Sequence, residues 1–458
     1  MANRFDLVVL GAGSGGYACA LRAAQLGLTV ALVEKGKLGG TCLHTGCIPT
    51  KALLHAAEVA DSARDSERFG VSVSFEGIDM GGVNKYKDGV VARLYAGLTG
   101  LVKGRGITVV EGEGRLVGPR TVEVNGEEYV GGALVLASGS YPRSLPGLEV
   151  DGHRVLTSEH ALGLDHVPGS VVVLGGGVIG CEFASVWGSF GADVTIVEAL
   201  PRLVAAEDPD VSTALQRAFR TRGIDVMVDT PFESVEPTAE GVRVTVRGGG
   251  TVEAELLLVA VGRGPATEGL GYETQGVATD RGFVLTDEHL RTNVEGVYAV
   301  GDIVPGLQLA HRGFAQGIFV AEHVAGLEPV PVDESTIPRV TYCDPEVASV
   351  GLDEATARST YGEDGVETLT YDLAGNGKSQ ILRTQGFVKL VRAKDGPVVG
   401  VHIVGARAGE LVGEAQLIVG WDAFPEDVAP LLHAHPTQNE AVGEAHLALA
   451  GKALHAHS

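Results

Sequence analysis

Short apolar runs that end at glycine-rich turns are the main pattern in the first part of the chain. Residues 5–10 (FDLVVL) form such a run, followed by an Ala- and Leu-rich stretch to Leu26 and a second run at residues 29–34. The same order returns at residues 170–174 and 193–198. Runs of this length are typical of strands that are buried on both faces of a parallel sheet. The pattern therefore predicts two βαβ units.

The pattern changes near residue 337, where short strands such as residues 386–391 and 398–404 alternate with helical segments. This alternation predicts an antiparallel sheet in an α+β domain. The predicted fold class is α/β, with two Rossmann-like dinucleotide-binding domains and an α+β C-terminal domain that has an antiparallel sheet. The predicted domains are 1–147 (first nucleotide domain), 148–270 (second nucleotide domain), 271–336 (a return to the first) and 337–458 (C-terminal domain).

Two complete dinucleotide-binding motifs follow the apolar runs. Each consists of a strand, G-x-G-x-x-G, a helix, a second strand and a terminal acidic residue, in the order that binds a pyrophosphate at the helix N-terminus and a ribose at the acid. Glycines that only pack a helix on a strand explain one such motif better than two, so two dinucleotides are predicted. The motif residues are Gly11, Gly13, Gly16 and Glu34 in the first copy and Gly175, Gly177, Gly180 and Glu198 in the second.

Glu198 also predicts which nucleotide binds to the second motif. A carboxylate at the end of this strand accepts hydrogen bonds from a free ribose 2′-hydroxyl and repels a 2′-phosphate. Arg202 is the one nearby residue that favours the opposite choice. The second nucleotide is therefore predicted to be NAD(H).

Cys42 and Cys47 lie between the first motif and the rest of the chain and are separated by four residues. In a regular helix, such positions are about 7.5 Å apart along the axis, whereas the Cα atoms of a disulfide lie about 4.4–6.8 Å apart. The pair can close only where the backbone is distorted, which Gly46 permits, and Pro49 is predicted to start a regular helix afterwards. A disulfide that closes so small a loop contributes little to the stability of a fold. The pair is therefore predicted to be a redox dithiol rather than two buried cysteines.

Charge and cysteine usage limit the possible partners and location. The chain has 458 residues and a formal net charge of −23, which disfavours nucleic acid and anionic membranes as partners. No run of about 20 apolar residues is present and no signal peptide is visible, so no membrane association is expected. Five cysteines are few and odd in number, which predicts a cytoplasmic protein whose disulfide is catalytic. The histidines do not complete a metal-binding pattern, so no metal is predicted.

Together these motifs resemble the FAD-dependent pyridine nucleotide–disulfide oxidoreductases, and among them the dihydrolipoamide dehydrogenases, over essentially the whole chain. The matching segments are GGTCLHTGCIPTK (39–51), GGGVIGCE (175–182), VGR (261–263), VYAVGD (297–302) and HAHPTQNE (433–440). The resemblance implies that the first nucleotide is FAD and that the C-terminal domain forms a homodimer. It also implies reoxidation of protein-bound dihydrolipoamide by NAD+, with the lipoyl domains and acyltransferase core of 2-oxo acid dehydrogenase complexes as partners.

The resemblance implies a role for individual residues as well. Cys47 corresponds to the thiol that stacks on the flavin, Cys42 to the thiol that meets the substrate, and Lys51 and Glu182 to an ion pair beside the flavin ring. The implied FAD contacts are Gly11, Gly13, Gly16, Glu34, Lys51, Gly114, Ala137, Ser138, Gly139, Asp302 and Ala310. The implied NAD contacts are Gly175, Gly177, Gly180, Glu198, Val235, Gly262 and Arg263.

His435 corresponds to the general base of the family, which takes the proton of the substrate thiol. Glu440, five residues later, is expected to bind the far nitrogen of its ring, and the pair is expected to serve Cys42 of the partner subunit. His433 is expected to cap a helix or to pack at an interface. The chain departs from the family at Gln438 and Asn439, where Leu-Ser is common, and this change is expected to alter the orientation of Glu440.

Two alternatives remain at this point. A reductase of another small disulfide, of the glutathione or mycothiol type, has similar motifs, although Glu198 disfavours the members that use NADPH. A flavin-bearing docking or sensor subunit with a silent disulfide is the second. A working dithiol takes up one electron pair more than the flavin alone, which separates this possibility from an enzyme.

Overall fold

The computed structural model describes residues 2–455, and the chain divides into two compact units. The first unit contains the residues up to Ala52, Gly81–Arg143 and Arg263–Val332. The second unit contains Leu53–Met80, Ser144–Gly262 and the residues from Asp333 onward. Residues 1 and 456–458, which belong to the first and last predicted domains, lie outside the described residues. The finer division into domains stays a prediction.

The helices of the described residues are α1 Ser14–Gln25, α2 Gly40–His44, α3 Cys47–Arg64, α4 Met80–Gly104, α5 Ser158–Ala161, α6 Val178–Phe190, α7 Pro209–Thr221, α8 Ala310–Val324, α9 Glu354–Tyr361, α10 Gly377–Leu382, α11 Ala408–Gly420, α12 Pro425–Val428 and α13 Glu440–Leu449. In residues 2–455, no helix combines the length and the apolar character that crossing a membrane requires.

The strands are β1 Asn3–Leu10, β2 Val30–Glu34, β3 Thr108–Glu111, β4 Arg115–Gly118, β5 Thr121–Val124, β6 Glu127–Leu136, β7 Ser140–Pro142, β8 Val155–Thr157, β9 Ser170–Leu174, β10 Asp193–Val197, β11 Asp225–Met227, β12 Phe232–Pro237, β13 Val242–Val246, β14 Thr251–Ala254, β15 Leu256–Val259, β16 Arg263–Pro265, β17 Thr279–Asp280, β18 Phe283–Val284, β19 Val297–Ala299, β20 Arg339–Thr341, β21 Glu346–Gly351, β22 Val366–Asp372, β23 Phe387–Ala393 and β24 Val398–Gly405.

The first unit is built on a sheet with the strand order β3-β2-β1-β6-β5-β4, in which β19 also pairs with β6. β1 runs parallel to β2 and β6, and the apolar side chains of its last four residues are buried. Helices cover both faces of such a sheet, which explains why its central strands are apolar without alternation. The carboxyl ends of β1, β2, β6 and β19 meet at one edge, where parallel sheets bind their ligands.

The second unit contains a parallel sheet of order β11-β10-β9-β15-β8 and an antiparallel sheet β12-β13-β14. It also contains the C-terminal sheet β20-β21-β24-β23-β22, whose neighbouring strands are all antiparallel. Buried residues of α11 and α13 join the apolar core of that sheet. The predicted fold class, with two Rossmann-like regions and a C-terminal antiparallel sheet, is confirmed.

One predicted helix boundary is wrong. The helix that follows the dithiol begins at Cys47, two residues before Pro49. Proline is tolerated there because the first N–H groups of a helix have no partner within the helix.

Candidate active site

The three glycines of the first motif have two different functions in the fold. A Cβ atom at Gly11 would lie 2.2 Å from the Ala137 carbonyl oxygen, and one at Gly16 would lie 1.8 Å from the Gly11 carbonyl oxygen. No atom lies within 4 Å of the corresponding position at Gly13. Gly11 and Gly16 therefore allow the chain to pack, whereas Gly13 leaves room in front of α1.

The second motif repeats this arrangement. A Cβ atom at Gly175 would lie 2.4 Å from the Ala260 carbonyl oxygen, and one at Gly180 would lie 1.9 Å from the Gly175 carbonyl oxygen. No atom lies within 4 Å of the corresponding position at Gly177. The open side of the middle glycine is where a pyrophosphate would approach the backbone. Both motifs thus have the space that a dinucleotide requires.

The N-termini of α1 and α6 are also suited to an anion. Neither Gly13 nor Gly177 caps its helix with a side chain, and neither helix has an acidic residue in its first turn. By contrast, α7 is capped by the carboxylate of Asp208, which accepts from the N–H of Asp210. The N–H groups of α1 and α6 can therefore bind phosphate oxygens, as helix N-termini commonly do.

The carboxylate at the end of β2 is fixed beside the first glycine turn. Glu34 Oε2 accepts from the Ala12 N–H at 2.7 Å, and Oε1 accepts from the Gly36 N–H at 2.7 Å. Each oxygen keeps a second lone pair. Glu34 is therefore held at the position that the ribose contact requires.

Glu198 occupies the equivalent position in the second unit. Its Oε2 accepts from the Gly176 N–H at 2.6 Å and its Oε1 from the Leu200 N–H at 2.7 Å. Arg202, the residue that favoured a 2′-phosphate, instead donates to the Ala205 carbonyl at 2.8 Å. Its guanidinium group binds its own loop, so the carboxylate sets the charge at this strand end.

Ser140 connects two predicted cofactor residues of the first unit, Asp302 and Arg263, by hydrogen bonds. Ser140 Oγ donates to Asp302 Oδ2 at 2.5 Å, and Arg263 Nε donates to Ser140 Oγ at 2.7 Å. The neighbouring Ser138 is bound by the buried Tyr272, whose hydroxyl lies 3.0 Å from its Oγ. Arg263, which was assigned to NAD, thus contacts Ser140, the residue that binds Asp302. Ser140 and Tyr272 were missed, although Ser140 directly follows the Ala-Ser-Gly motif.

The remaining predicted cofactor residues lie at strand and helix ends. Gly114 packs so closely that a Cβ atom would lie 2.5 Å from Leu10 Cδ1, and Gly139 has a positive φ of 77° with open space around it. Ala310 is the first residue of α8. Val235 packs on the apolar cluster that contains residues of β9 and β10, and Gly262 has φ 104° at the boundary of the two units.

The backbone between the two cysteines is broken as the disulfide geometry requires. Helix α2 contains Cys42 and ends at His44, Thr45 has φ −137°, and α3 begins at Cys47. Gly46 has no positive φ, but a Cβ atom there would lie 3.0 Å from the Thr41 carbonyl oxygen. Glycine thus allows this close packing, because a larger residue would have to displace the Thr41 carbonyl by a few tenths of an ångström.

The dithiol segment lies directly against the first glycine turn. The Gly39 N–H donates to the Ala12 carbonyl at 2.9 Å, and a Cβ atom at Gly40 would lie 2.8 Å from Gly13 Cα. Gly39 and Gly40 have φ values of 103° and 56°, which only glycine adopts readily. These two glycines place the cysteines beside the nucleotide loop, and the prediction did not include them.

The Cys42 thiol shares a hydrogen bond with Cys47. The hydrogen bond with Cys47, followed by burial, raises the pKa of the Cys42 thiol well above its usual range, and Lys51 opposes this shift. Burial and then the charge on these thiols also raise the pKa of Tyr17. The contact between the two sulfurs therefore disfavours loss of the proton from Cys42.

Lys51 and Glu182 lie in different units. Within the second unit, the buried Glu182 accepts from the Tyr342 N–H at 3.0 Å through Oε1. The ion pair between Lys51 and Glu182 stays a prediction.

His435 and Glu440 form the pair that the sequence predicts. His435 Nδ1 lies 2.8 Å from Glu440 Oε1, and Glu440 Oε2 accepts from the Thr437 N–H at 2.7 Å. Partial burial raises the pKa of Glu440, but the hydrogen bonds from Thr437 and His435 outweigh it and leave that pKa below its usual value. The His435 side chain is 77% exposed, so its Nε2 is open to a reactant.

His433 binds a carboxylate instead of capping a helix, and its expected packing at an interface stays a prediction. Its Nε2 lies 2.8 Å from Glu414 Oε1 on α11, a carboxylate that the sequence reasoning missed. Among residues 2–455, no three His, Cys, Asp or Glu side chains are arranged to hold a metal ion.

Two family models match the chain. The model of pyridine nucleotide-disulphide oxidoreductases matches residues 5–317, and the model of the dimerisation domain of the same family matches residues 337–446. Together they include both nucleotide motifs, the dithiol and His435.

Individual proteins are similar over nearly the full length. Dihydrolipoyl dehydrogenase of Bacillus subtilis is 40% identical over 475 residues, which covers 99% of this chain and 100% of that protein. The mitochondrial dihydrolipoyl dehydrogenase of Pisum sativum is 40% identical over 98% of this chain and 92% of its own. The crystal structure of LpdA from Mycobacterium tuberculosis has a TM-score of 0.90 and 28% identity, with 98% and 100% of the two chains covered. The chain therefore belongs to the pyridine nucleotide-disulphide oxidoreductase family.

Proposed function

We propose that this protein is a dihydrolipoamide dehydrogenase, which oxidises protein-bound dihydrolipoamide through a Cys42–Cys47 disulfide and transfers the electrons to NAD+. The observation that carries the proposal is the position of the dithiol segment against the first nucleotide loop, through Gly39 and Gly40. The relatives that are about 40% identical over nearly the whole chain carry the same activity in their names.

The enzyme uses FAD and NAD(H), as its family does. The open sides of Gly13 and Gly177 and the two uncapped helix N-termini fit one dinucleotide each. FAD, when bound, supplies a two-electron carrier between the dithiol and the nicotinamide. We assign the FAD site to the first unit, with Glu34 at the ribose and Asp302 on the ribityl chain, and the NAD site to the second, with Glu198 at the ribose.

The exchange step uses the two sulfurs in different roles. A substrate thiolate attacks Cys42 Sγ of the oxidised pair, the Cys42–Cys47 bond breaks, and Cys47 leaves as a thiolate. The second substrate thiol then attacks the sulfur that is bound to Cys42, which releases the cyclic disulfide and leaves Cys42 reduced. The substrate loses two electrons and two protons, and the dithiol gains the electron pair. The hydrogen bond with Cys47 raises the pKa of the Cys42 thiol, which supports Cys42 as the sulfur that is released as a thiol.

His435 is the proposed general base of this exchange. A thiol with a pKa of about 8.5 is mostly protonated at neutral pH, so the attack requires a proton acceptor. Glu440 binds His435 Nδ1 and leaves Nε2 to take the proton. The matched dimerisation domain indicates a homodimer, and we propose that each His435 acts on Cys42 of the partner subunit.

We further propose that the substrate is delivered on the lipoyl domains of 2-oxo acid dehydrogenase complexes and that the enzyme binds to the acyltransferase core of these complexes. The few cysteines support a cytoplasmic location.

Electron uptake tests whether the dithiol takes part in the reaction. Anaerobic titration of the FAD-loaded protein with dithionite should consume two electron pairs per subunit, one for the flavin and one for the Cys42–Cys47 disulfide. A Cys47→Ser variant should consume one. Uptake of a single pair by the native protein would show a silent disulfide and contradict the proposed function.

We expect the enzyme to prefer NAD+ over NADP+ by at least about 100-fold in kcat/KM. A 2′-phosphate would bring a second negative group within a few ångströms of Glu198, and at an effective dielectric constant of about 20 the repulsion is a few kcal/mol. A Glu198→Gln variant should have a smaller difference in kcat/KM between NAD+ and NADP+. Similar kcat/KM values for the two nucleotides in the native enzyme would refute this role of Glu198.

Alanine at Gly177 should weaken the binding of NAD+, whereas alanine at Gly180 should reduce the stability of the fold. We expect Gly177→Ala to raise the KM for NAD+ about tenfold or more without lowering Tm, because its methyl group meets no protein atom within 4 Å. Gly180→Ala should lower the free energy of unfolding by about 1–3 kcal/mol, because its methyl group would lie 1.9 Å from the Gly175 carbonyl oxygen. Thermal unfolding and steady-state kinetics measure both effects. An unchanged KM in the first variant would contradict the proposed phosphate position.

A further inference from the structure

The loop that carries His435 is bound at both ends by one carboxylate. This loop comprises residues 433–440 and leads into α13. Glu414 on α11 binds His433 Nε2 through Oε1 at 2.8 Å. Its other oxygen, Oε2, accepts a short hydrogen bond from Asn439 Nδ2. Glu414 thus connects the first residue of the loop to the residue before Glu440.

Asn439 is at the N-cap position of α13, but its side chain does not cap the helix. The N–H groups of Ala441 and Val442 in the first turn donate instead to the Gln438 and Asn439 carbonyls, and Glu440 accepts from the Thr437 N–H of the loop. The Asn439 amide is therefore directed to Glu414, away from the helix backbone.

The ring of His433 is packed tightly on the first turns of α13. A Cβ atom at Gly443 would lie 2.4 Å from His433 Nδ1, so the ring occupies the space beside this glycine. The His433 side chain is only 11% exposed. His433, Glu414 and Asn439 therefore form a bridge, here called the Glu414 bridge, that has little freedom to move.

The charges within the Glu414 bridge strengthen both contacts. The hydrogen bond with His433 lowers the pKa of Glu414, burial opposes this, and the Asn439 amide lowers it further. Glu414 in turn raises the pKa of His433. The carboxylate is ionised at neutral pH, and hydrogen bonds to an ionised group are stronger than neutral ones.

We propose that Asn439 is a positioning residue for the dithiol exchange: by closing the Glu414 bridge it fixes the start of α13, and so the direction in which Glu440 presents His435. The side chain of His435 is 77% exposed and contacts Glu440 on one side only. Its direction is therefore set by the loop and by Glu440. The inference rests on the proposed function, in which His435 is the base.

Exchange of the hydrogen-bond donor at Asn439 and the acceptor at Glu414 tests the positioning role of Asn439. Asn439→Asp keeps the size and the N-cap preference of the residue but replaces the donor with a second carboxylate beside Glu414. We expect kcat/KM for dihydrolipoamide to fall about tenfold, which corresponds to the loss of a hydrogen bond to a charged group. Oxidation of NADH by ferricyanide, which does not need His435, should be unchanged. In the double variant Asn439→Asp with Glu414→Gln, the glutamine amide donates to the new carboxylate, and kcat/KM should rise again toward the native value.

The controls separate a positioning role from a general loss of structure. Glu410→Gln, on the exposed side of α11 one turn earlier, should leave both activities unchanged. If Asn439→Asp does not fold, Asn439→Ser provides the comparison, with a smaller loss of dihydrolipoamide activity and full ferricyanide activity expected. Equal kcat/KM in the single variant, a parallel loss of both activities, or no recovery in the double variant would overturn the proposal. A native enzyme that does not oxidise dihydrolipoamide would instead refute the proposed function itself.

Discussion

The Cys42→Ser variant should not oxidise dihydrolipoamide at all, although it should keep its fold and its flavin content. The substrate thiolate attacks the Cys42 sulfur, and a serine oxygen cannot form the mixed disulfide. The Cys42 position contributes to the site through its sulfur, since α2 and the break at Thr45 are formed by the backbone and by Gly46. Oxidation of NADH by ferricyanide should therefore continue.

Cys19→Ala is the matched control for this prediction. Cys19 is fully buried in α1, and burial raises the pKa of its thiol to about 12, so it cannot supply a thiolate at neutral pH. The control should oxidise dihydrolipoamide at a rate close to that of the native enzyme. Turnover of dihydrolipoamide by Cys42→Ser, measured as NADH formation, would show that another sulfur meets the substrate.

The His435→Gln variant should lose about 10²- to 10⁴-fold in kcat with dihydrolipoamide, the usual contribution of a general base. The glutamine amide can still donate to Glu440, so the loop should keep its conformation, but it cannot hold the proton of the substrate thiol. The loss should be smaller at high pH, where the substrate is already a thiolate. His455→Gln, in an exposed segment near the C-terminus, is the control and should be fully active.

Mixed dimers test whether His435 serves the partner subunit. Cys42→Ser and His435→Gln are each inactive, but a dimer with one chain of each type contains one complete site if the base acts across the interface. Random exchange of equal amounts should therefore recover about 25% of the native activity, since half of the dimers are mixed and each has one of two sites. Mixed dimers that remain inactive after confirmed subunit exchange would place base and thiol in the same chain.

Local sequence patterns were sufficient to predict the nucleotide loops and the strands beside them. β9 spans residues 170–174 as predicted, because a run of buried apolar residues between two glycine-rich turns has few other conformations. The middle glycines lie where a phosphate would approach, and Glu34 and Glu198 lie at the ends of their strands. These features depend on residues that are close in sequence, so the motif alone is sufficient to predict them.

The break near Gly46 was predicted at the correct place, but the reason for a glycine there was predicted only in part. The sequence predicts a distorted backbone between the cysteines, and the break is present at Thr45. The glycine relieves a tight contact with the Thr41 carbonyl, and this distance depends on how α2 meets α3. The orientation of Arg202 was likewise unpredictable, since it is set by the fold of the following loop.

The Glu414 bridge could not be predicted from the sequence. Glu414 is 19 residues before His433 and 25 residues before Asn439. Their contact depends on the packing of α11 and α13 in the same apolar core. The altered Gln438-Asn439 pair predicts a change in the orientation of Glu440, and this stays a prediction. The pair does not predict which partner Asn439 binds.

The substrate specificity of the oxidised, FAD-loaded enzyme tests the central claim most directly. The native protein should be mixed anaerobically with dihydrolipoamide or with glutathione, each in the presence of NAD+ or NADP+, and nucleotide reduction followed by absorbance. We expect rapid formation of NADH with dihydrolipoamide and NAD+, one NADH per dihydrolipoamide oxidised, and no comparable rate in the other three mixtures. Faster reduction with glutathione, or with NADP+, would contradict the assignment of a dihydrolipoamide dehydrogenase.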